Sequence, residues 1–282
     1  MKQLNEAPYR IPMRITSSNG VSAGSTTTYD LPIGFKYLSF DMVIGGTVDR
    51  SLVMIRHRIN GEVIQEYSAA DRDAMNQHDN LPDEATAGVL FMPMSPENMK
   101  TRDAEEMTGI NTGSRDQNGR YISKYTVEVD IPQGSVSPTL DLFADTDEAS
   151  VGGPGLIPRL LKFPYDLNAG QRQLREFPKG GVKFARLRRI YIKAATANIS
   201  EMEVKIDQKV HFERTDVVNR AAQTRGRRNP QTGWYVIDRT EKGYGGDPYR
   251  LTGVNDFALI LEVGTTQSNC PIYMDYIGGF AN

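Results

Sequence analysis

Arg225, Arg227 and Arg228 fall within four residues. A guanidinium fork pairs with phosphate or with carboxylate. The run therefore reads as a phosphate-facing loop or as a contact with an acidic surface on another subunit, with a solvated loop as the plain alternative. It closes a stretch, residues 183–228, that holds 12 basic and 5 acidic residues. That excess is local. The chain as a whole sets 33 basic against 35 acidic residues, a net charge of −2. A protein that coats nucleic acid is far more basic, so no specific nucleic-acid recognition is expected.

The other reactive side chains point to no catalytic, cofactor or metal site. His57, His78 and His211 are widely separated. His57 alternates with Val53, Ile55 and Ile59, which suits a partly buried, hydrogen-bonded ring; His211 reads as exposed. Cys270 is the one cysteine, so no intrachain disulfide can form, and beside Pro271 it reads as a small buried hydrophobe. P-loop, nucleophile-elbow and zinc-protease motifs are missing from the sequence. Glycines 152–153 and 243–246 read as loops. The acidic runs 79–84 and 145–148 could offer oxygens to a structural calcium ion, but they lack the spacing of a calcium loop and no ligand set is assignable; both read as solvated turns. Trp234 and Tyr235 could form a sugar-stacking platform, and suit a core or an interface equally well.

The elements that would position these residues are mostly strands. Period-2 alternation runs through residues 121–131, with Tyr125, Val127 and Val129 on one face and Thr126, Glu128 and Asp130 on the other. Similar signals fall at 35–44, 51–59, 62–67 and 139–144, and again at 184–194, 201–206, 209–213, 257–263 and 272–277. Two short helices are expected. One covers 69–77, capped by Ser68; the other covers 216–224, capped by Thr215, with Val217, Val218, Ala221 and Ala222 as its apolar stripe.

These signals repeat in order. Strand, strand, tight turn, strand and short helix recur 145–149 positions later, with Asn60-Gly61 at the first turn and Asp207-Gln208 at the second. The pattern predicts a duplicated all-β domain, the first copy over 1–150 and the second over 156–282, each with two sheets packed face to face as a sandwich or jelly roll. The glycine-rich linker lies at about 148–159, where Val151, Gly152, Gly153, Pro154 and Gly155 suit neither helix nor central strand. The N-terminus is polar, is interrupted by Pro8 and Pro12, and has no secretory h-region.

Several short segments carry a family resemblance. They are Ile190-Tyr191-Ile192-Lys193-Ala194-Ala195 with Glu203, Ile206 and Asp207, and Asp275-Tyr276-Ile277-Gly278-Gly279-Phe280. In the first half they are Leu31-Pro32-Ile33-Gly34, the strand from Tyr37, and Asn60-Gly61. With these the chain resembles the double jelly-roll major capsid proteins of tailless, internal-membrane-containing icosahedral bacteriophages, the corticovirus type. Residues 81–118 and 225–251 depart from it.

The resemblance implies two eight-stranded barrels in one chain and no enzymatic activity. It implies homotrimers of pseudo-hexagonal outline tiling an icosahedral shell over an internal membrane. Partners would be neighbouring capsomers, pentons and minor capsid or membrane proteins. The chain would reside in the virion after assembly in the bacterial host cytoplasm. Lys2, Arg10 and Arg14 would suit anionic lipid headgroups on the inner side. The competing readings are a glycan-binding or glycan-hydrolysing protein on a two-domain jelly-roll scaffold, and a minor capsid protein or receptor-binding spike.

Overall fold

The computed structural model describes residues 11–83, 88–95, 108–242 and 247–281. They pack as two units. The first comprises the chain up to Asn76, Pro82–Pro158 and the end from Phe280; the second comprises Gln77–Leu81 and Arg159–Gly279.

The first unit contains β1 (Ile11–Ile15), β2 (Thr26–Asp30), β3 (Phe35–Thr47), β4 (Met54–Ile59) and β5 (Glu62–Ser68). Helix α1 (Ala69–His78) follows, its last two residues grouping with the second unit, then β6 (Leu90–Pro93), β7 (Ile110–Asn111), β8 (Tyr125–Asp130) and β9 (Val136–Glu148). One sheet has the order β1-β9-β3-β6, with β7 beside β3; the other has the order β5-β4-β8-β2. Alternation explains β4. Ile55, His57 and Ile59 point inward, while Arg56 and Arg58 point outward to Glu66, Asp130 and Glu128 on the flanking strands at 2.6–3.1 Å. Between the sheets Tyr37 meets Tyr125 edge-on at 5.4 Å and Phe40 meets the His57 ring at 5.4 Å.

The second unit repeats this plan. It contains β10 (Leu156–Leu167), β11 (Gly170–Leu174), β12 (Arg186–Lys193), β13 (Ile199–Ile206) and β14 (Lys209–Thr215). Helix α2 (Asp216–Arg225) follows, then β15 (Trp234–Asp238), β16 (Tyr249–Arg250), β17 (Phe257–Val263) and β18 (Gln267–Gly279). Its sheets are β10-β18-β12-β15, with β16 beside β12, and β14-β13-β17-β11. Ile190, Ile192 and Met274 from the first sheet pack into one core with Met202, Val204 and Leu259 from the second. Strand for strand the order matches that of the first unit. The architecture is a double jelly roll.

The repeat extends to fine detail. Asn60 and Gly61 both adopt positive φ, as do Asp207 and Gln208 at the corresponding turn. Asn60 Oδ1 accepts the backbone N–H groups of Ser123 and Lys124, and Asp207 Oδ1 accepts those of Asn255 and Asp256. Each hairpin slips register once, between His57 and Arg58 and between Val204 and Lys205.

Several local expectations are corrected. The strand expected over 121–131 begins only at Tyr125, because the Asn60 side chain holds the backbone of residues 121–124 in a loop. The acidic run 145–148 is not a turn but the end of β9, paired with β3. Thr215 occupies the N-cap of α2 without a side-chain capping bond, whereas Ser68 Oγ accepts the N–H of Asp71 as expected. The stripe expected on α2 is largely on the wrong face. Val217 and Val218 are exposed, and Asn219, Ala222 and Gln223 are buried. The Asn219 and Gln223 amides both donate to the Val236 carbonyl, so hydrogen bonds to the middle of β15 (Trp234–Asp238) seat this helix in place of an apolar stripe.

Candidate functional site

The charge excess expected around residues 183–228 is divided between a buried cluster and an exposed tip. Strand β12 carries Arg188 and Arg189 between the core residues Leu187 and Ile190, at the point where its register slips. Arg189 donates Nη1 to Asp79 Oδ2 at 2.5 Å, Nε to Asp238 Oδ1 at 3.1 Å and Nη1 to the Tyr191 hydroxyl at 2.9 Å. Arg228 donates Nε to Asp238 Oδ2 at 2.8 Å and Nη2 to the Thr240 carbonyl at 2.9 Å. Arg188 pairs with Asp275 at 2.7 Å. His78 lies edge-on to Tyr191 at 5.9 Å, with Nδ1 against Asp79 Oδ1 at 3.1 Å.

This ionic cluster is desolvated, and its members hold one another charged. Burial alone would raise the Asp79 carboxyl. Arg189 outweighs it, with help from the His78 hydrogen bond and Arg228, so the group stays far below the usual carboxylate range. Asp238 is depressed in the same way, against burial, by Arg189 and Arg228.

His78, Asp79 and Asp238 lie close enough together to suggest a metal ligand set. The chemistry does not fit one. Both oxygens of each carboxylate already meet donors, and a cation would enter beside two guanidinium groups. The cluster is a network of ion pairs in which every carboxylate oxygen of Asp79 and Asp238 has a donor, while His78 Nε2 and Arg188 Nε are buried without a hydrogen-bond partner among the described residues.

It also corrects two expectations. Asp79 is not part of a solvated acidic turn but is 6% exposed and ion-paired. Arg228 does not face a subunit or a phosphate, because it is 7% exposed and engaged inside the unit. Arg225 and Arg227 remain on the surface, either side of Gly226 at the end of α2. That glycine is required by packing: a Cβ there would lie 2.0 Å from the Glu241 carbonyl oxygen.

The remaining candidates are structural. His57 is fully buried, with its ring nitrogens 3.0–3.1 Å from the Tyr67 and Tyr125 hydroxyls, and burial lowers its pKa to about 3. His211 is exposed. The Cys270 thiol is buried, donates to the Lys193 carbonyl and is pushed up to about 12. Trp234 stacks on Tyr273 at 6.2 Å and Arg220 covers the Tyr235 ring at 5.5 Å, so neither forms an open sugar platform. A cleft of about 380 Å³ is lined in part by Arg214, Arg239, Glu241 and Asp247. Arg214 grips Glu241 with both nitrogens at 3.0–3.1 Å, and Arg239 pairs with Asp247 at 2.8 Å. These carboxylates are engaged rather than poised as an acid–base pair. Glycines 243–246, Lys2 and Arg10 lie outside the described residues.

The Asp79–Arg189–Asp238 cluster was not foreseen from sequence. Its one signal was the Arg188-Arg189 pair interrupting the apolar run of a strand.

Two jelly rolls of one strand order in a single chain define a class, the double jelly-roll viral coat proteins. Residues 12–147 match the profile of the viral coat protein P2 N-terminal domain, and residues 157–280 match that of the viral coat protein P2 C-terminal domain. The chain belongs to the viral coat protein P2 family, a structural rather than an enzymatic family.

Among solved structures, the major capsid protein P2 from bacteriophage PM2 is similar at a TM-score of 0.85 and 20% identity, over 97% of this chain and 99% of that one. VP54 of PBCV-1, fitted into a reconstruction of the virophage Sputnik, is similar at a TM-score of 0.63 and 10% identity, over 100% and 99%. The STIV major capsid protein is similar at 0.60 and 13%, over 96% of both chains. No curated protein matches the chain by sequence.

Proposed function

We propose that this chain is the major capsid protein of a tailless icosahedral phage. It assembles as homotrimers whose six jelly rolls give a pseudo-hexagonal tile, laid over an internal membrane. The observation that carries this reading is the same strand order written twice in one chain, in a coat-protein family. Two similar barrels in three copies approximate six-fold symmetry, and a repeated head-to-tail contact closes a ring.

The tile would meet neighbouring capsomers, pentons and minor capsid or membrane proteins in the virion, after assembly in the host cytoplasm. Arg225 and Arg227 are the exposed part of the basic loop and would serve subunit contact or phosphate. Anionic lipid headgroups would find Lys2 and Arg10. Arg14 is engaged by Asp141 at 2.5 Å and would add less.

Light scattering after size exclusion tests the assembly. A trimer weighs three times 31.4 kDa, about 94 kDa, and should resist dilution. Its contacts should bury on the order of 2,000–5,000 Å², as obligate assemblies do. A stable monomer would refute the trimer.

A further inference from the structure

Gln77–Leu81, the residues that end α1 and follow it, group with the second unit, where they fill a site on the outer face of the β10-β18-β12-β15 sheet. The internal repeat says what the corresponding residues after α2 should fill. Both helices are ten residues long and follow the third strand after equivalent hairpins, so His78 corresponds to Arg225 and Asn80 to Arg227.

The receiving faces also align. The ladder slips between Tyr37 and Ser39 in the first unit and between Leu187 and Arg189 in the second. Ser39 therefore corresponds to Arg189 and Asp41 to Tyr191. Asp145, opposite Ser39, corresponds to Asp275, opposite Arg189.

The two faces carry opposite charge. In the second unit Arg188, Arg189 and Arg228 face Asp238 and Asp275, and Asp79 brings the third carboxylate. In the first unit Asp41 and Asp145 share the face, and neither has a cation partner among the described residues. Burial, and then the neighbouring Asp145, hold the Asp41 carboxyl above its ordinary range, as expected of an acid pair lacking a counter-charge. Arg225 and Arg227 likewise engage no carboxylate among the described residues. An acidic end sits on a basic face within the chain, while a basic end and an acidic face are left over.

We propose that the α2 tip of one copy closes onto the first unit of the next copy, with Arg225 against Asp41 and Arg227 reaching Asp145. The contact repeats, between chains, the seat of His78 and Asp79 beside Tyr191 and Arg189 within one. It is heterologous, and repetition around a ring satisfies every copy. Gly226 packs closely against the Glu241 backbone, so the main chain that carries both arginines is already placed and only their side chains have freedom to lose on contact. This inference rests on the trimer reading and names the residues that orient it.

The test uses the full chain and follows assembly by light scattering across a dilution series at low salt. Arg225→Glu and Asp41→Arg should each raise the concentration at which the trimer dissociates by about tenfold or more. The double variant should return it to within roughly threefold of the natural chain. Circular dichroism melts establish that each variant is folded. An Asp41→Cys, Arg225→Cys pair gives a second readout less dependent on charge: a bis-maleimide whose spacer matches the reach of an arginine–aspartate pair, adding one thiol at each end, should produce cross-linked dimers and trimers on a denaturing gel.

A trimeric natural chain with both single variants assembling like it, or a cysteine pair that stays monomeric on the gel, would overturn the latch and leave the trimer standing. Unchanged assembly with weakened binding to phosphatidylglycerol vesicles would assign the arginines to a lipid surface and also overturn it. A natural chain that is monomeric at every concentration removes both readings.

Discussion

His57 and Asp79 show how burial sets the behaviour of a titratable side chain. His57 is neutral, between two tyrosine hydroxyls, with a pKa near 3. Its unfolded-state value is about 6.5. Between these values the unfolded chain binds the extra proton, so stability rises with pH across this window and is lost as pH falls through it. The effect is about 5 kcal/mol over the whole window, of which roughly 3 kcal/mol falls between pH 4 and pH 7, and urea titrations at those two pH values should show that difference shrinking in His57→Gln. Asp79 has a depressed pKa, so its stabilisation is present above the unfolded value of about 4 and is lost on further acidification. Asp79→Ala would leave Arg189 buried with one counter-charge fewer. It should destabilise the second unit by roughly 3–5 kcal/mol in the same assay. If it melts like the natural chain, the network is not what holds that region.

The two helices share a position and a length but are held differently. Ser68 caps α1 through its hydroxyl, so Ser68→Ala should cost about 1 kcal/mol. Thr215 makes no such bond, and Thr215→Ala should cost no more than a few tenths of that. Paired thermal melts separate the two, and equal losses would count against this capping difference. The strands were legible because a half-buried sheet demands alternation, and both turns were legible because positive φ demands particular residues. The seat of α2 was not. Asn219 and Gln223 are polar, and only the nearby Val236 carbonyl turns them into the buried face.

Duplication at the level of the whole chain leaves two barrels of one topology with different outer surfaces. Val43 and Phe143 flank Asp41 on the outer face of β3 and β9, and are 36% and 38% exposed. If the next copy covers this face as proposed, Phe143→Ser should weaken assembly several-fold, while the melt of the isolated subunit loses only the contacts the ring makes within the chain, such as that with the Arg14 guanidinium 6.0 Å from its centroid. Equal dilution curves for the variant and the natural chain would place the interface elsewhere. A charge difference between two otherwise equivalent faces would give the ring a direction, since like faces would repel if the order were reversed.

The residue order alone determined the mostly-β class, the internal repeat, its two hairpins and the family likeness, all of which rest on local periodicity and turn chemistry. Tertiary structure decided which charges are buried and which remain on the surface. Arg228 and Arg225 are three positions apart and identical in type. One is desolvated against Asp238 and the other is exposed. Asp79 became an ion-pair partner because folding brings it to Arg189, 110 positions away. Ionic function of this kind depends on which distant partner removes the water, and no local pattern encodes that.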